Sequence, residues 1–229
     1  MKASPRSLLL LLLFLLLALA AASPAAAQAR RVPPPPARRN TTPLVSLRPF
    51  FVATLQNFAA KETFKAVFGR QVQPFFGAGL DIAFRNGMFV DATVSHFSKT
   101  GQRVFRFNGT NFPLGIPLTV TETPLEATVG YRHQKARSNV IPYVGGGIGS
   151  YGYQEIGQGD DSSEAVDLRD VGVLAVGGVE FRMGRWVGFS GDLQYTHVGG
   201  ILGTGGVSKA ANENDLGGLA VRFRVIVGR

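Results

Sequence analysis

From about residue 45 onward the apolar positions recur with period two, the spacing of strands that show different environments on their two faces. In the closing segment Leu219, Val221, Phe223, Val225 and Val227 alternate with Ala220, Arg222, Arg224 and Ile226, so one face is greasy and the other carries two arginines. Met88, Val90, Ala92 and Val94 oppose Asp91, Thr93 and Ser95 in the same way. Val171, Val173, Ala175, Val179 and Phe181 likewise oppose Glu180 and Arg182. Eight such segments are predicted, near 46–56, 72–84, 87–97, 118–132, 139–153, 170–182, 186–198 and 216–228.

The links between them carry the topology. Short ones fall at Arg85-Asn86, His133 to Ser138 and Met183 to Arg185. Long ones fall at Asn57 to Gln71, Ser98 to Pro117, Gln154 to Arg169 and Gly199 to Asp215. A meander in which every second connection is long has one short-turn rim and one long-loop rim, the arrangement of a membrane-spanning barrel. A soluble sandwich has no reason to enforce that alternation. The expected fold is therefore an all-β, eight-stranded antiparallel up-and-down transmembrane β-barrel over residues 46–229. An even strand count places both ends of the barrel at the short-turn rim. Segments of this length, tilted, cross a hydrocarbon layer. Closure pairs every backbone donor and acceptor and leaves no edge strand to aggregate.

Before the barrel, Lys2 and Arg6 precede an apolar run from Leu8 to Ala22, and small residues end at Ala27-Gln28-Ala29. This is the pattern of a secretory signal peptide, expected over 1–29, and the run is too short for a retained spanning helix. Residues 30–45, with Pro33-Pro34-Pro35-Pro36 flanked by arginines, read as an extended, disordered periplasmic tether. The formal net charge of +9 is concentrated there. Lys2, Arg6, Arg30, Arg31, Arg38 and Arg39 account for six of 24 basic residues, which leaves 18 against 15 acidic ones in the remainder. No basic stripe with interleaved aromatics is present, so nucleic acid is not an expected partner. The chain has no cysteine, which excludes lipid modification at an N-terminal Cys, disulfides and a thiol nucleophile.

Assigning the apolar face to lipid turns Asp81, Asp91, Glu122, Glu126, Arg132, Glu180, Arg182, Asp192, Gln194, Arg222 and Arg224 toward the lumen. The interior of an eight-stranded barrel is just wide enough to be filled by side chains. These mixed charges are therefore expected to pair with one another in a mostly filled lumen rather than line a wide pore, and removing one partner is expected to destabilise the barrel. The glycines at 77, 79, 145, 147 and 149 lie inside strands, and Tyr143, Tyr151 and Tyr153 share the face of the last three, so large and small side chains are expected to interdigitate. No cofactor or metal site is expected: the acidic segment Glu155 to Asp170 lacks the oxygen-ligand spacing of a calcium loop, and His133 and His197 have no partners at ligand spacing.

The runs Gly130-Tyr131-Arg132, Pro142-Tyr143-Val144-Gly145, Gly177-Gly178-Val179-Glu180-Phe181-Arg182 and the closing strand from Leu216-Gly217-Gly218 to Gly228 resemble the small bacterial outer-membrane barrels related to opacity proteins and to the outer-membrane protein A and W types. The resemblance spans about Val45 to Arg229 and concerns strand architecture. It implies residence in the bacterial outer membrane after signal cleavage, with outer-membrane lipid and the barrel assembly machinery as partners. That family usually ends in an aromatic residue read by the assembly machinery, whereas this chain ends Val227-Gly228-Arg229. The expected function is a non-enzymatic envelope barrel whose long loops, Ser98 to Pro117 and Gly199 to Asp215 above all, meet a surface or host ligand. Two alternatives are a small porin-like channel and a lipid A-acting hydrolase. In the second, the His96-x-Ser98 pair resembles that of outer-membrane deacylases, with the serine as nucleophile and the histidine as base.

Overall fold

The structure is a computed structural model and describes residues 44–134, 138–157, 166–184, 186–204 and 206–228. The expected signal peptide, nearly all of the proline-arginine tether, and Asp160, Asp161 and Glu164 of the acidic segment lie outside the described residues.

Eight strands follow one another around a closed ring: β1 (Val45–Phe58), β2 (Val72–Phe84), β3 (Met88–Phe107), β4 (Thr110–Arg132), β5 (Val140–Gly157), β6 (Val166–Met183), β7 (Val187–His197) and β8 (Gly218–Val227). Each pairs antiparallel with the next. β8 returns to β1 with Phe50 opposite Ile226 and Phe58 opposite Gly218, so no edge is left along the body of the barrel. Both ends of the barrel sit at the short-turn rim, where the Gly228 amide donates to the Trp186 carbonyl. The β2–β3 turn there is tightened by Gly87 at φ 92° and by the Asn86 side chain, which accepts from the Met88 amide at 3.0 Å.

The strands are unequal. β3 to β6 run on past the body of the barrel and form a tall wall on one side, so most of the segment expected as the loop Ser98 to Pro117 is a paired hairpin, with Phe105 opposite Phe112. Its free edge on β4 is blunted by Pro113 and Pro117 and by Gly115 at φ 71°.

The two long links of the lower side carry helices. In α1 (Lys61–Phe68) Phe64, Val67 and Phe68, with the cap residue Ala60 ahead of them, line one face at helical spacing, and Gly69 at φ 74° closes the C-terminus with its amide on Lys65 O. The short α2 (Gly206–Ala210) lies in the last long link.

The two faces of the strands invert the pattern of a soluble protein. Phe51, Phe76, Val144 and Phe223 are each more than 60% exposed on the outside, whereas Asp81, Asp91, Arg132 and Glu180 are 2% exposed or less on the inside. On the outer face, apolar side chains form a belt from the short-turn rim to about Leu55, Phe76, Val94, Leu125, Ile148 and Val171. Tyr131 and Trp186 stand at its lower margin and Tyr195 near its upper one.

Candidate functional site

The lumen is the site to which the sequence pointed, and it is built in two tiers. The tier near the short-turn rim is a chain of ion pairs. Arg48 donates from Nε to Asp81 at 2.9 Å and from Nη1 to Glu180 at 2.8 Å. Arg132 contacts Asp81, lies 3.3 Å from Glu180 and reaches Asp91 at 3.9 Å. Arg224 joins Asp91 at 2.7 Å to Asp192 at 3.2 Å, and Arg222 joins Asp192 at 2.5 Å to Glu126 at 3.6 Å. Tyr143 donates to Asp192 at 2.6 Å, while Tyr151 and Gln194 donate to Glu126 at 2.9 and 2.8 Å.

Of the expected luminal set, Asp81, Asp91, Glu126, Arg132, Glu180, Asp192, Arg222 and Arg224 are buried and joined in this chain. Arg182 pairs with Glu180 at 3.1 Å from the rim, where its side chain is 37% exposed. Glu122 is luminal and 4% exposed, yet it makes no ion pair among the described residues.

Arg48 was missed by the alternation. The inward face of β1 also carries Phe50 and Val52, so both faces of that strand read as apolar. The usable signal was its parity, since Arg48 lies an even number of residues from Gln56, which is also buried. The rings of the tier sit against glycines. A Cβ at Gly79 would lie 2.8 Å from Phe50 Cε2, one at Gly130 would lie 2.5 Å from Phe89 Cζ, and one at Gly149 would lie 2.8 Å from Tyr151 Cε2. Of the expected tyrosine–glycine contacts only that of Gly149 with Tyr151 is present, since Gly145 meets Phe89 and Gly147 the Ala127 backbone; the Arg132 guanidinium lies 4.0 Å from the Phe89 ring centre.

The upper tier is apolar and closes the mouth. Phe58, Phe64, Phe75, Phe97, Leu118, Val120, Val198, Ile201, Leu202 and Leu216 form one buried cluster, with Phe58 and Phe64 stacked at 3.6 Å. The segment expected to present Gly199 to Asp215 outward as a contact loop is therefore turned inward in part: Ile201, Leu202 and Val207 are buried, whereas Gly200, Lys209, Ala210, Asn212 and Asn214 stay exposed. The reason lies in its own composition: Val198, Ile201, Leu202, Val207 and Leu216 find their burial against the inner face of the tall wall.

Two carboxylates fix this plug. Asp215 accepts from the Val198 and Gly217 amides at 2.9 and 2.8 Å and meets His197 Nδ1 at 2.8 Å. Glu213 accepts from the Glu62 and Thr63 amides at 2.8 and 2.9 Å and from Thr63 Oγ1 at 2.8 Å, so it caps the N-terminus of α1, whose own cap residue Ala60 has no acceptor. Gly101 lets the helix close on β3, because a Cβ there would lie 2.8 Å from Val67 Cγ1 and 2.9 Å from the Phe68 ring.

A cavity of about 30 Å3 remains between the tiers, lined by Thr54, Gln56, Phe75, Thr93, Ser95, Glu122, Glu126, Tyr151, Gln194, Thr196, Leu216 and Arg222 among others. Outside, His96 and Ser98 are exposed on β3, and each is engaged by a threonine of β4: His96 Nδ1 lies 3.2 Å from Thr123 Oγ1 and Ser98 Oγ 3.0 Å from Thr121 Oγ1. These contacts belong to a polar ladder above the apolar belt, continued by Thr100 and Thr119 at 2.8 Å. Among the described residues, no group of three or more His, Asp or Glu side chains is placed to hold a metal ion.

Several solved structures are similar to the chain at low identity. Neisserial surface protein A is similar to the chain over 79% of its length and 96% of that protein, at 12% identity and a TM-score of 0.43. The N-terminal β-barrel domain of Pseudomonas aeruginosa OprF matches over 79% and 96%, at 10% identity and 0.42. The outer-membrane protein AlkL matches over 86% and 94%, at 16% identity and 0.34. The likeness is one of fold. No protein-family model matches the chain, and no curated protein matches it by sequence.

Proposed function

We propose that the chain is a non-enzymatic barrel of the bacterial outer membrane whose sealed lumen serves as its core and whose work is done at the rim that faces outward. The observation that carries this reading is the inversion of its faces, with an apolar belt outside and nine buried, paired charges inside among the described residues. In water such a belt would be an aggregation surface, and in a bilayer it is the required one. Outer-membrane lipid is then the first partner, and the assembly machinery handles the chain on its way in.

The contact surface for a host molecule or neighbouring protein is the β3–β4 hairpin, which stands above the barrel and exposes Phe105, Phe107 and Phe112. The filled lower tier and the plugged mouth favour a structural lumen over a porin-like channel. The threonine partners of His96 and Ser98, with no carboxylate joined to the histidine by a hydrogen bond among the described residues, favour a structural ladder over a hydrolase.

Fractionation with a heat-modifiability gel tests the location. An outer-membrane band that shifts on boiling is expected, and a soluble, unshifted band overturns it. Planar-bilayer recording tests the lumen, where a silent membrane is expected and stable ohmic steps would restore the channel. Mass analysis of lipid A should be unaltered by Ser98→Ala or by deletion of the gene, and a change in acylation would restore the hydrolase.

A further inference from the structure

Counting charge along the luminal chain isolates one group. Four buried arginines, Arg48, Arg132, Arg222 and Arg224, and the half-exposed Arg182 at the rim are joined to Asp81, Asp91, Glu126, Glu180 and Asp192, five cations to five anions among the described residues. Among the described residues Glu122 is the sixth buried carboxylate. It lies on the inward face of β4, its Oε2 has no hydrogen-bond partner, and it borders the cavity between the two tiers. Gln194 borders the same cavity, 4% exposed. Its amide nitrogen is committed to Glu126 Oε1 at 2.8 Å and Thr196 Oγ1 at 3.0 Å, which leaves Oε1 as a second buried acceptor without a partner.

An ionised carboxylate out of water needs a counter-charge. The surroundings of Glu122 supply acceptor oxygens and hydroxyls from Thr93 and Ser95, with neither thiolate nor imidazole in the lining. Oxygen donors of this kind suit hard cations. The one charge of an ionised Glu122 is matched by a monovalent ion. A volume of about 30 Å3 admits roughly two bodies the size of a water molecule. Arg222, which also lines the cavity, keeps one buried donor without a partner, Nη2.

We propose that the cavity binds one desolvated monovalent cation of sodium or potassium size, held by Glu122 and the Gln194 side-chain oxygen together with one water, as the counter-charge to Glu122. The ion stabilises the barrel because it binds the folded lumen and not the open chain.

The test compares thermal unfolding of the folded protein in detergent micelles in sodium chloride and in choline chloride at equal ionic strength, since choline is too large for the cavity. At about 0.3 M salt, wild type is expected to unfold about 3 to 5 °C higher in sodium, the shift that an ion at roughly ten times its dissociation constant gives a chain of this size. In Glu122→Gln the difference between the salts is expected to fall below about 1 °C, because the neutral amide needs no counter-ion. Equal midpoints for wild type in the two salts would overturn the proposal and leave Glu122 as a protonated acid in a hydrated void. So would a Glu122→Gln protein that keeps the full difference. Should that variant not fold, sodium-23 NMR of wild type decides. Broadening of the sodium line that potassium relieves and choline does not is expected. A line no broader than that of empty micelles would overturn the proposal.

Discussion

Arg132 is the hub of the lower tier, and its replacement by methionine gives the sharpest test of what the lumen contributes. The side chain is 2% exposed and reaches three carboxylates, Asp81, Glu180 and Asp91. Methionine retains most of the volume against Phe89 but strands those carboxylates with Arg48, Arg182 and Arg224 alone. Removing one partner of a buried pair costs about 3–5 kcal/mol, chiefly because the opposite charge is left without compensation.

Arg182→Met is the internal control. Its guanidinium also contacts Glu180, but at 37% exposure water screens the pair, and the expected loss is under about 1 kcal/mol. The double variant Arg132→Met with Asp81→Asn should recover about 1–3 kcal/mol, since it removes one of the stranded charges. Urea unfolding in micelles, followed by the single tryptophan, Trp186, and by the heat-shifted band, measures all three. If Arg132→Met and Arg182→Met lose the same small amount, the lumen is hydrated well enough to screen its charges, and the reading of a filled core is wrong.

Two further outcomes follow from close packing and from the plug. Gly130→Ala places a methyl group against the Val144 carbonyl and the Phe89 ring, and should cost about 1–3 kcal/mol in the same urea assay with the heat shift retained. Glu213→Ala uncaps α1 and should loosen the plug by about 1 kcal/mol. Limited proteolysis should then cut within residues 61–69 several-fold faster while the barrel band stays intact, and an unchanged cleavage rate would remove Glu213 as the clamp.

The body of the barrel was legible because one rule governs it: where lipid faces one side and ion pairs the other, apolar and polar residues must alternate. β2 was read to the residue, and β8 to within two residues at its start. The rule fails where the lipid stops. Above Val94 the outward positions of β3 become His96, Ser98 and Thr100, so contrast between the faces disappears while the hydrogen-bonded ladder continues to Phe107. Length in the wall is carried by cross-strand pairing that no window along one strand displays.

The same distinction divides the site. Parity alone turned ten charged residues inward, but which of them pair depends on strand stagger, and so the isolation of Glu122 was invisible. Arg48 was hidden by Phe50 and Val52 beside it. The plug depends on Glu213 meeting an amide 151 residues earlier in the chain, and α1, with eight residues, is too short to announce itself by periodicity.

The central claim is that the apolar face of every strand meets lipid and the charged face meets the lumen, and β8 tests it most directly. Because the chain has no cysteine, single cysteines can be placed one at a time from Leu219 to Val227 and spin-labelled in lipid bilayers. Oxygen accessibility should be high at 219, 221, 223, 225 and 227 and low at the positions between, with no site on the apolar face reached by a water-soluble nickel reagent. Accessibility without period two, or nickel contact along Val221, Phe223 and Val225, would show that this face does not lie in a membrane.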